Sequence, residues 1–190
     1  TAWHMLVSRA KISAGEDVLV QAAGSGVGSA AIQIAKLFGA RVITTASTAE
    51  KLALAKQLGA DDVINYQEKD FVQEVKKVTN GKGVEIVIDH IGGETFEKAI
   101  RALTKNGRIV TCGATSAPTI TIDTRFIFMR HLNLLGSFMG RKSELLYLMQ
   151  FFKNNKLKAV VDTAFPLEKA VNAHKRMEDR KQFGKIILNP

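Results

Sequence analysis

The chain has 190 residues, enough for one ordinary domain or a large one with an appendage. Apolar residues make up 46% of it and charged residues 24%, a globular balance that excludes disordered and collagen-like classes. Lysine and arginine outnumber aspartate and glutamate by 27 to 18, for a net charge of +9.

The basic residues are dispersed, with no aromatic-interleaved or RNP-like stretch. They read as a solvated surface, and nucleic acid is not the expected partner. No apolar run approaches the roughly 18 residues of a membrane helix, and no basic-then-apolar leader opens the chain. A single cysteine, Cys112, excludes a disulfide framework and fits a reducing, cytoplasmic setting.

In chain order, Trp3, Leu6 and Val7 read as one face of a short helix already under way, so an upstream segment is expected before Thr1. The stretch Asp17–Ala22 is a compact apolar run of the kind a buried parallel strand shows. A helix from about Gly28 to Phe38 follows, closed by Gly39, and Arg41–Thr45 forms a second strand. Ser47-Thr48-Ala49-Glu50 has capping-box spacing, with Ser47 as cap and Glu50 reaching back. The helix it opens ends at Gly59.

Asp62–Tyr66 is the third strand. Phe71, Val72, Val75 and Val78 then stripe one helix face. Val84–Asp89 is the fourth strand, and Phe96, Ala99, Ile100 and Leu103 mark the helix after it. Gly107–Cys112 and Leu132–Phe138 are the fifth and sixth strands. Strand and helix alternating six times predict an α/β fold: a doubly wound, parallel, three-layer Rossmann sheet in the order 3-2-1-4-5-6, with its ligand crevice beyond the strands' carboxyl ends. This unit is read as residues 1–142. From 143 to 190 the chain becomes helices and short strands without a place in that sheet, expected to return toward a preceding substrate domain.

The central motif is Ala22-Ala23-Gly24-Ser25-Gly26-Val27-Gly28, between the first strand and the first long helix. Small residues there let the backbone turn tightly and present helix amides to a pyrophosphate. A literal Gly-x-Gly-x-x-Gly would need glycine at position 29, where Ser29 stands. The loop also resembles those of S-adenosylmethionine-binding methyltransferases. The end of the second strand, Thr44-Thr45-Ala46-Ser47-Thr48, carries no carboxylate for a free ribose diol. A 2′-phosphate would be repelled by a carboxylate and accepted by a hydroxyl and a cation, which Ser47 and Lys51 supply, with Tyr66 on the neighbouring strand. Ile91, Gly113 and Phe138 stand in the remaining carboxyl-end loops, whose glycines suit the close approach of a cofactor's ribose and nicotinamide halves.

Other groups do not form sites. His4, His90, His131 and His174 show no metal-ligand spacing. Asp89 and His90 are adjacent on a strand and should point apart. Cys112, at the end of a strand, reads as a small buried residue rather than a nucleophile.

Together, the glycine loop, Leu58–Tyr66, Asp89-His90-Ile91-Gly92-Gly93 and Phe183–Leu188 resemble the cofactor-binding half of a medium-chain dehydrogenase/reductase of the quinone oxidoreductase, zinc-binding alcohol dehydrogenase type. That branch usually shows Ala-x-x-Gly-x-x-Gly; Ala22 and Gly28 match, and Ser25 replaces the middle glycine. The resemblance implies an NADP-dependent oxidoreductase acting by hydride transfer on a small carbonyl, enone, quinone or alcohol. Its cofactor contacts would fall on Ser25, Gly26, Val27, Gly28, Ser47, Lys51, Tyr66, Ile91, Gly113 and Phe138. It further implies catalytic residues outside this chain and a homodimer formed through the edge strand Leu132–Phe138. The competing readings are a methyltransferase domain and a nucleic-acid-binding module on a dehydrogenase-like fold.

Overall fold

In the computed structural model, which describes residues 1–190, repeated strand–helix units build one parallel sheet. The elements are β1 (Asp17–Val20), α1 (Gly26–Leu37), β2 (Arg41–Ala46), α2 (Ala49–Gln57), β3 (Asp62–Asn65), α3 (Phe71–Val78), β4 (Val84–Asp89), α4 (Gly93–Ala102), β5 (Leu103–Thr111), α5 (Thr124–Arg130) and β6 (Asn133–Gly136). The strands lie in the order β3-β2-β1-β4-β5-β6, every neighbouring pair parallel, as the alternation predicts. The winding reverses between β1 and β4, the switch point at which a doubly wound sheet opens a crevice.

Both faces of the sheet are covered, which is why the strands read as continuous apolar runs. Val18, Val20, Ile86, Ile88 and Val110 pack with Ile32 and Ala35 of α1 and with Met5 and Leu6 of the opening helical turn, His4–Arg9. On the opposite face Leu19, Ile43, Val87 and Ile109 meet Phe71, Val72 and Val75 of α3 and Phe96 and Ile100 of α4. Each such side chain contributes roughly 1.5–3 kcal/mol on full burial. The Asp70 carboxylate caps α3 by accepting from the Gln73 N–H at 3.0 Å.

Several boundaries differ from the sequence reading. Helix α1 starts at Gly26 rather than Gly28. Leu103, read as the end of the α4 stripe, opens β5 instead: the ladder to β4 jumps from Val84↔Leu103 to Ile86↔Arg108. Asn106 absorbs that irregularity at φ 63°, in the left-handed region. Helix α5 has no buried residue, so no apolar stripe announced it.

The remaining chain holds α6 (Lys142–Lys153), β7 (Val161–Pro166), a 3₁₀ turn (Leu167–Lys169), α7 (Ala170–Glu178) and β8 (Lys185–Asn189). The two late strands pair with each other, parallel, in a sheet of their own. No helix of the chain is long and apolar enough to cross a membrane. Gln33 of α1 ties this unit down from one side, donating to the Lys158 carbonyl at 3.1 Å and accepting from the Lys158 N–H at 3.0 Å.

Asp162 holds the other side. It accepts from Arg176 Nε at 2.5 Å and Nη2 at 2.9 Å, and from the Phe183 N–H at 2.9 Å. Phe183 is buried in the core, and the next residue, Gly184, donates its N–H to the Gly24 carbonyl at 2.8 Å. The arm that follows α7 is therefore fastened to the loop after β1. Hydrogen bonding to Arg176 holds the Asp162 carboxyl down at about 2. A folded pKa below the unfolded one means that this stabilisation is complete above about pH 4 and disappears as the pH falls to about 2. Amide-exchange protection over residues 180–185 should decline across that window before the parallel sheet opens. In Asp162→Asn the decline should be absent, with the protection already low at neutral pH.

Candidate cofactor cleft

The loop leaving β1 owes its path to two close contacts. A Cβ at Gly28 would lie 2.3 Å from the Ala22 carbonyl oxygen, so only glycine lets α1 start this near the end of β1. Ser25, where the related pattern has glycine, sits at φ −79°, ψ 161°, a conformation any residue adopts. Its Oγ accepts the Gly28 N–H at 2.8 Å, so the serine caps α1. Across the loop, a Cβ at Gly26 would meet the flexible end of the Lys185 side chain at 2.4 Å.

Beyond the carboxyl ends of β1 to β5 lies a cleft of about 760 Å³, within the size range of cofactor sites. Of the ten expected contact residues, Ser25, Ser47, Lys51, Tyr66 and Ile91 line it. Gly26, Val27 and Gly28 form the first turn of α1 next to Ser25. Gly113 does not line the cleft: it backs onto the loop after β4, where a Cβ would stand 3.2 Å from the His90 carbonyl oxygen. Phe138 is 88% exposed on the loop after β6 and also lies outside the lining.

The capping box is corrected. Helix α2 begins at Ala49 and its cap is Thr48, whose Oγ1 accepts from the Lys51 N–H at 3.3 Å. Thr48 has the extended backbone preceding the helix, φ −138°, ψ 152°. Ser47 is thereby released from capping and faces the cleft. β2 ends on Ala46, and no carboxylate follows until Glu50. Lys51 reaches across to donate from Nζ to the Arg180 carbonyl oxygen. Burial lowers its pKa, against the opposing pull of Asp162 and Glu50.

Met177, Arg180 and Gln182 complete this wall. The sequence reading missed them, because a segment near the far end of the chain, α7 and the residues after it, gives no local sign of folding back over the glycine loop. The nearest signal is the basic run at Lys175, Arg176, Arg180 and Lys181.

At the centre of the cleft His90 and Ile91 follow β4. Burial lowers the His90 pKa, and burial pushes the Asp89 carboxyl up. The Asp89 Oδ2 accepts from the Gly92 N–H at 3.1 Å and from Thr111 Oγ1 at 3.4 Å. Ser116 fastens the same loop from β5's side, its N–H and Oγ donating to the Ile91 carbonyl at 2.8 and 2.9 Å. Burial, then the charge of Asp89, raises the Cys112 thiol, which is the reverse of an activated thiolate. No group of three or more His, Cys, Asp or Glu side chains is placed to hold a metal ion.

A family model described as zinc-binding dehydrogenase matches residues 26–154. Human quinone oxidoreductase is 33% identical over 195 residues, covering 99% of this chain and 59% of that protein. A 2-haloacrylate reductase from a Burkholderia species is 34% identical over 204 residues, covering 100% of this chain and 60% of its own length. Among solved structures, an NAD-dependent alcohol dehydrogenase superposes at TM-score 0.92 with 46% identity, covering 100% of this chain and 55% of that one. A mycobacterial protein complexed with NADPH gives TM-score 0.88 at 31% identity, covering 100% and 61%. The chain thus spans 55–61% of the length of these four proteins.

The contact at Gly28 sets a testable cost. Gly28→Ala should destabilise the fold by about 1–3 kcal/mol, since backbone must move to admit the methyl group. Ser25→Gly should cost only a few tenths of a kcal/mol through loss of the cap. Urea denaturation of both variants checks the ranking.

Proposed function

Because this chain belongs to the zinc-binding dehydrogenase family of the medium-chain dehydrogenase/reductase superfamily, we propose that it is the cofactor-binding domain of an NADPH-dependent oxidoreductase. The observation that carries the NADPH reading is the end of β2. It has no carboxylate, and it is surrounded by the Ser47 hydroxyl, the Lys51 ammonium, the Tyr66 side chain and Arg180. A 2′-phosphate finds charge-assisted donors there. Family membership disfavours the methyltransferase and nucleic-acid readings.

The residues fit a dinucleotide. Gly28 brings the start of α1 against the β1 loop, so helix amides and the Ser25 hydroxyl face the pyrophosphate position. Gln21, buried at the cleft floor, keeps a free amide donor. When bound, the nicotinamide supplies or accepts a hydride. This chain's part is to bind and orient it, Ile91 and the loop to Gly93 shaping the cleft beside the ribose and nicotinamide. The family's name implies zinc; the residues here do not fit a zinc site, and no step is assigned to it. Substrates of the small carbonyl, enone, quinone or alcohol class suit the quinone oxidoreductase and 2-haloacrylate reductase likeness.

On this reading residues 1–142 bind the cofactor, and 143–190 return toward a substrate domain elsewhere in the protein. A homodimer through β6 is supported by its exposed edge and the exposed apolar side chains of Phe128, Met129, Leu134 and Phe138 around it. A single, half-buried cysteine supports a cytoplasmic location.

Titration with NADPH and NADH side by side tests the cofactor reading. NADPH should bind more tightly, and Lys51→Ala should remove about 1.5–3 kcal/mol from NADPH alone. Equal affinities unchanged by the substitution would favour NADH, the cofactor class of the alcohol dehydrogenase neighbour. Because burial already lowers the Lys51 pKa, the NADPH preference should fade as the pH rises through that lowered value, whereas NADH binding should stay flat. Isothermal titration across an alkaline series follows it.

A further inference from the structure

Four polar side chains stand in one row across the carboxyl end of the sheet. Thr45 is on β2, Asp89 ends β4 and Thr111 ends β5; Gln21 follows β1 directly. The register sets the row: Val20 pairs with Thr44 on one side and Ile88 on the other, Gln21 donates its N–H to the Ile88 carbonyl at 3.1 Å, and Asp89 pairs with Thr111. Two residues back, Ile43, Leu19, Val87 and Ile109 occupy the same face and belong to one apolar cluster. Thr45, Gln21 and Asp89 are 1%, 2% and 0% exposed.

The hydrogen bonds of the row orient its members. Thr45 Oγ1 accepts the Ala22 N–H at 3.1 Å, so its proton goes to Gln21 Oε1 at 2.8 Å. That fixes which end of the amide is oxygen and leaves Nε2 as the end not held by Thr45 on β2. Asp89 Oδ2 is taken by Gly92 and Thr111, which leaves Oδ1 as the carboxylate's free oxygen. Gln21 Nε2 and Asp89 Oδ1 are both buried, and neither has a partner in the protein. An unpartnered donor and an unpartnered acceptor thus belong to neighbouring residues on the same face of adjacent strands, and Gln21 also lines the cleft.

We infer that Gln21 and Asp89 hold one hydroxyl oxygen between them, from a water molecule or from a sugar hydroxyl of the nucleotide. The oxygen accepts from Gln21 Nε2–H and donates its proton to Asp89 Oδ1, satisfying both groups at once. It joins the glycine loop, which Gln21 opens, to the His90–Gly93 loop, which Asp89 holds through Gly92. Gln21 and Asp89 are therefore positioning residues that set the spacing of two cleft walls. Only the sugar-hydroxyl source rests on the NADPH reading; the water source does not.

Crystals of the chain grown with and without NADPH, together with an exchange of the two groups, test this. An oxygen 2.6–3.2 Å from both atoms in both crystals identifies a water. One present only with NADPH, and bonded within its sugar, identifies the ligand hydroxyl. A water seen while NADPH fails to bind leaves this inference standing and removes the cofactor reading.

A direct Gln21–Asp89 hydrogen bond, or no oxygen in either crystal, overturns the inference. Gln21→Glu alone opposes two carboxylates, and Asp89→Asn alone opposes two donors. Each should lower the melting temperature by about 4 °C or more, and the double variant, which restores one donor and one acceptor, should recover most of the loss. Additive losses in the double variant would also overturn it, since a merely structural role for each residue predicts addition.

Discussion

The contact between Gly28 and the Ala22 carbonyl governs the rest of the structure's use. With no Cβ at position 28, α1 begins against the end of β1, and its first amides open into the switch point between β1 and β4. A larger residue would tilt the helix off the sheet and draw Ile32 and Ala35 away from Val18 and Val20, which they cover. Cleft geometry and core packing are the same constraint seen from two sides. Ser25 is compatible with that constraint because its backbone is extended, and it replaces a glycine's freedom with a helix cap.

The sheet was legible because a parallel strand buried on both faces leaves a mark that a half-exposed one does not: Val18–Val20 and Ile86–Ile88 are apolar at every position. Helix α3 was legible through its Phe71, Val72 and Val75 stripe, whereas α5, with nothing buried, carried no period to read. The cleft is legible where strand ends converge: Ser25, Ser47, Tyr66 and Ile91 follow β1 to β4, Lys51 stands in the first turn of α2, and all five line it. Ile91, Gly113 and Phe138 share one sign, a glycine-rich loop after a strand, and of the three only Ile91 lines the cleft. The capping box failed by one residue: Ser47 and Thr48 are equivalent caps on paper, and the choice falls to whichever has extended backbone.

What no local pattern could supply is the arm after α7. Arg180 and Gln182 reach the cleft because Phe183 is buried in the core and Gly184 is bonded to Gly24, and both fastenings join residues far apart in sequence. Asp162 makes the arm's position conditional on a carboxylate, since its three hydrogen bonds to Arg176 and Phe183 need an ionised acceptor. The glycine loop and the arm are therefore mechanically one wall, although they occupy opposite ends of the chain.

On the proposed cofactor reading, that wall also conditions Lys51 for an anion. Lys51 loses solvent to the arm, and the nearby charges of Arg176 and Arg180 add to the effect, so its own positive form is disfavoured despite Asp162 and Glu50. The Arg180 carbonyl takes one of its three ammonium protons and leaves two for another acceptor. On the proposed NADPH reading, a 2′-phosphate between Lys51, Arg180 and Ser47 would offset the charges of Arg176 and Arg180 and accept the spare protons, against the repulsion of Asp162 and Glu50. Partial burial of Lys51 leaves less water to compete with such a phosphate for its ammonium protons. On the NADPH reading, selectivity for a phosphorylated ribose would depend on the arm that shields Lys51 as well as on Lys51 itself.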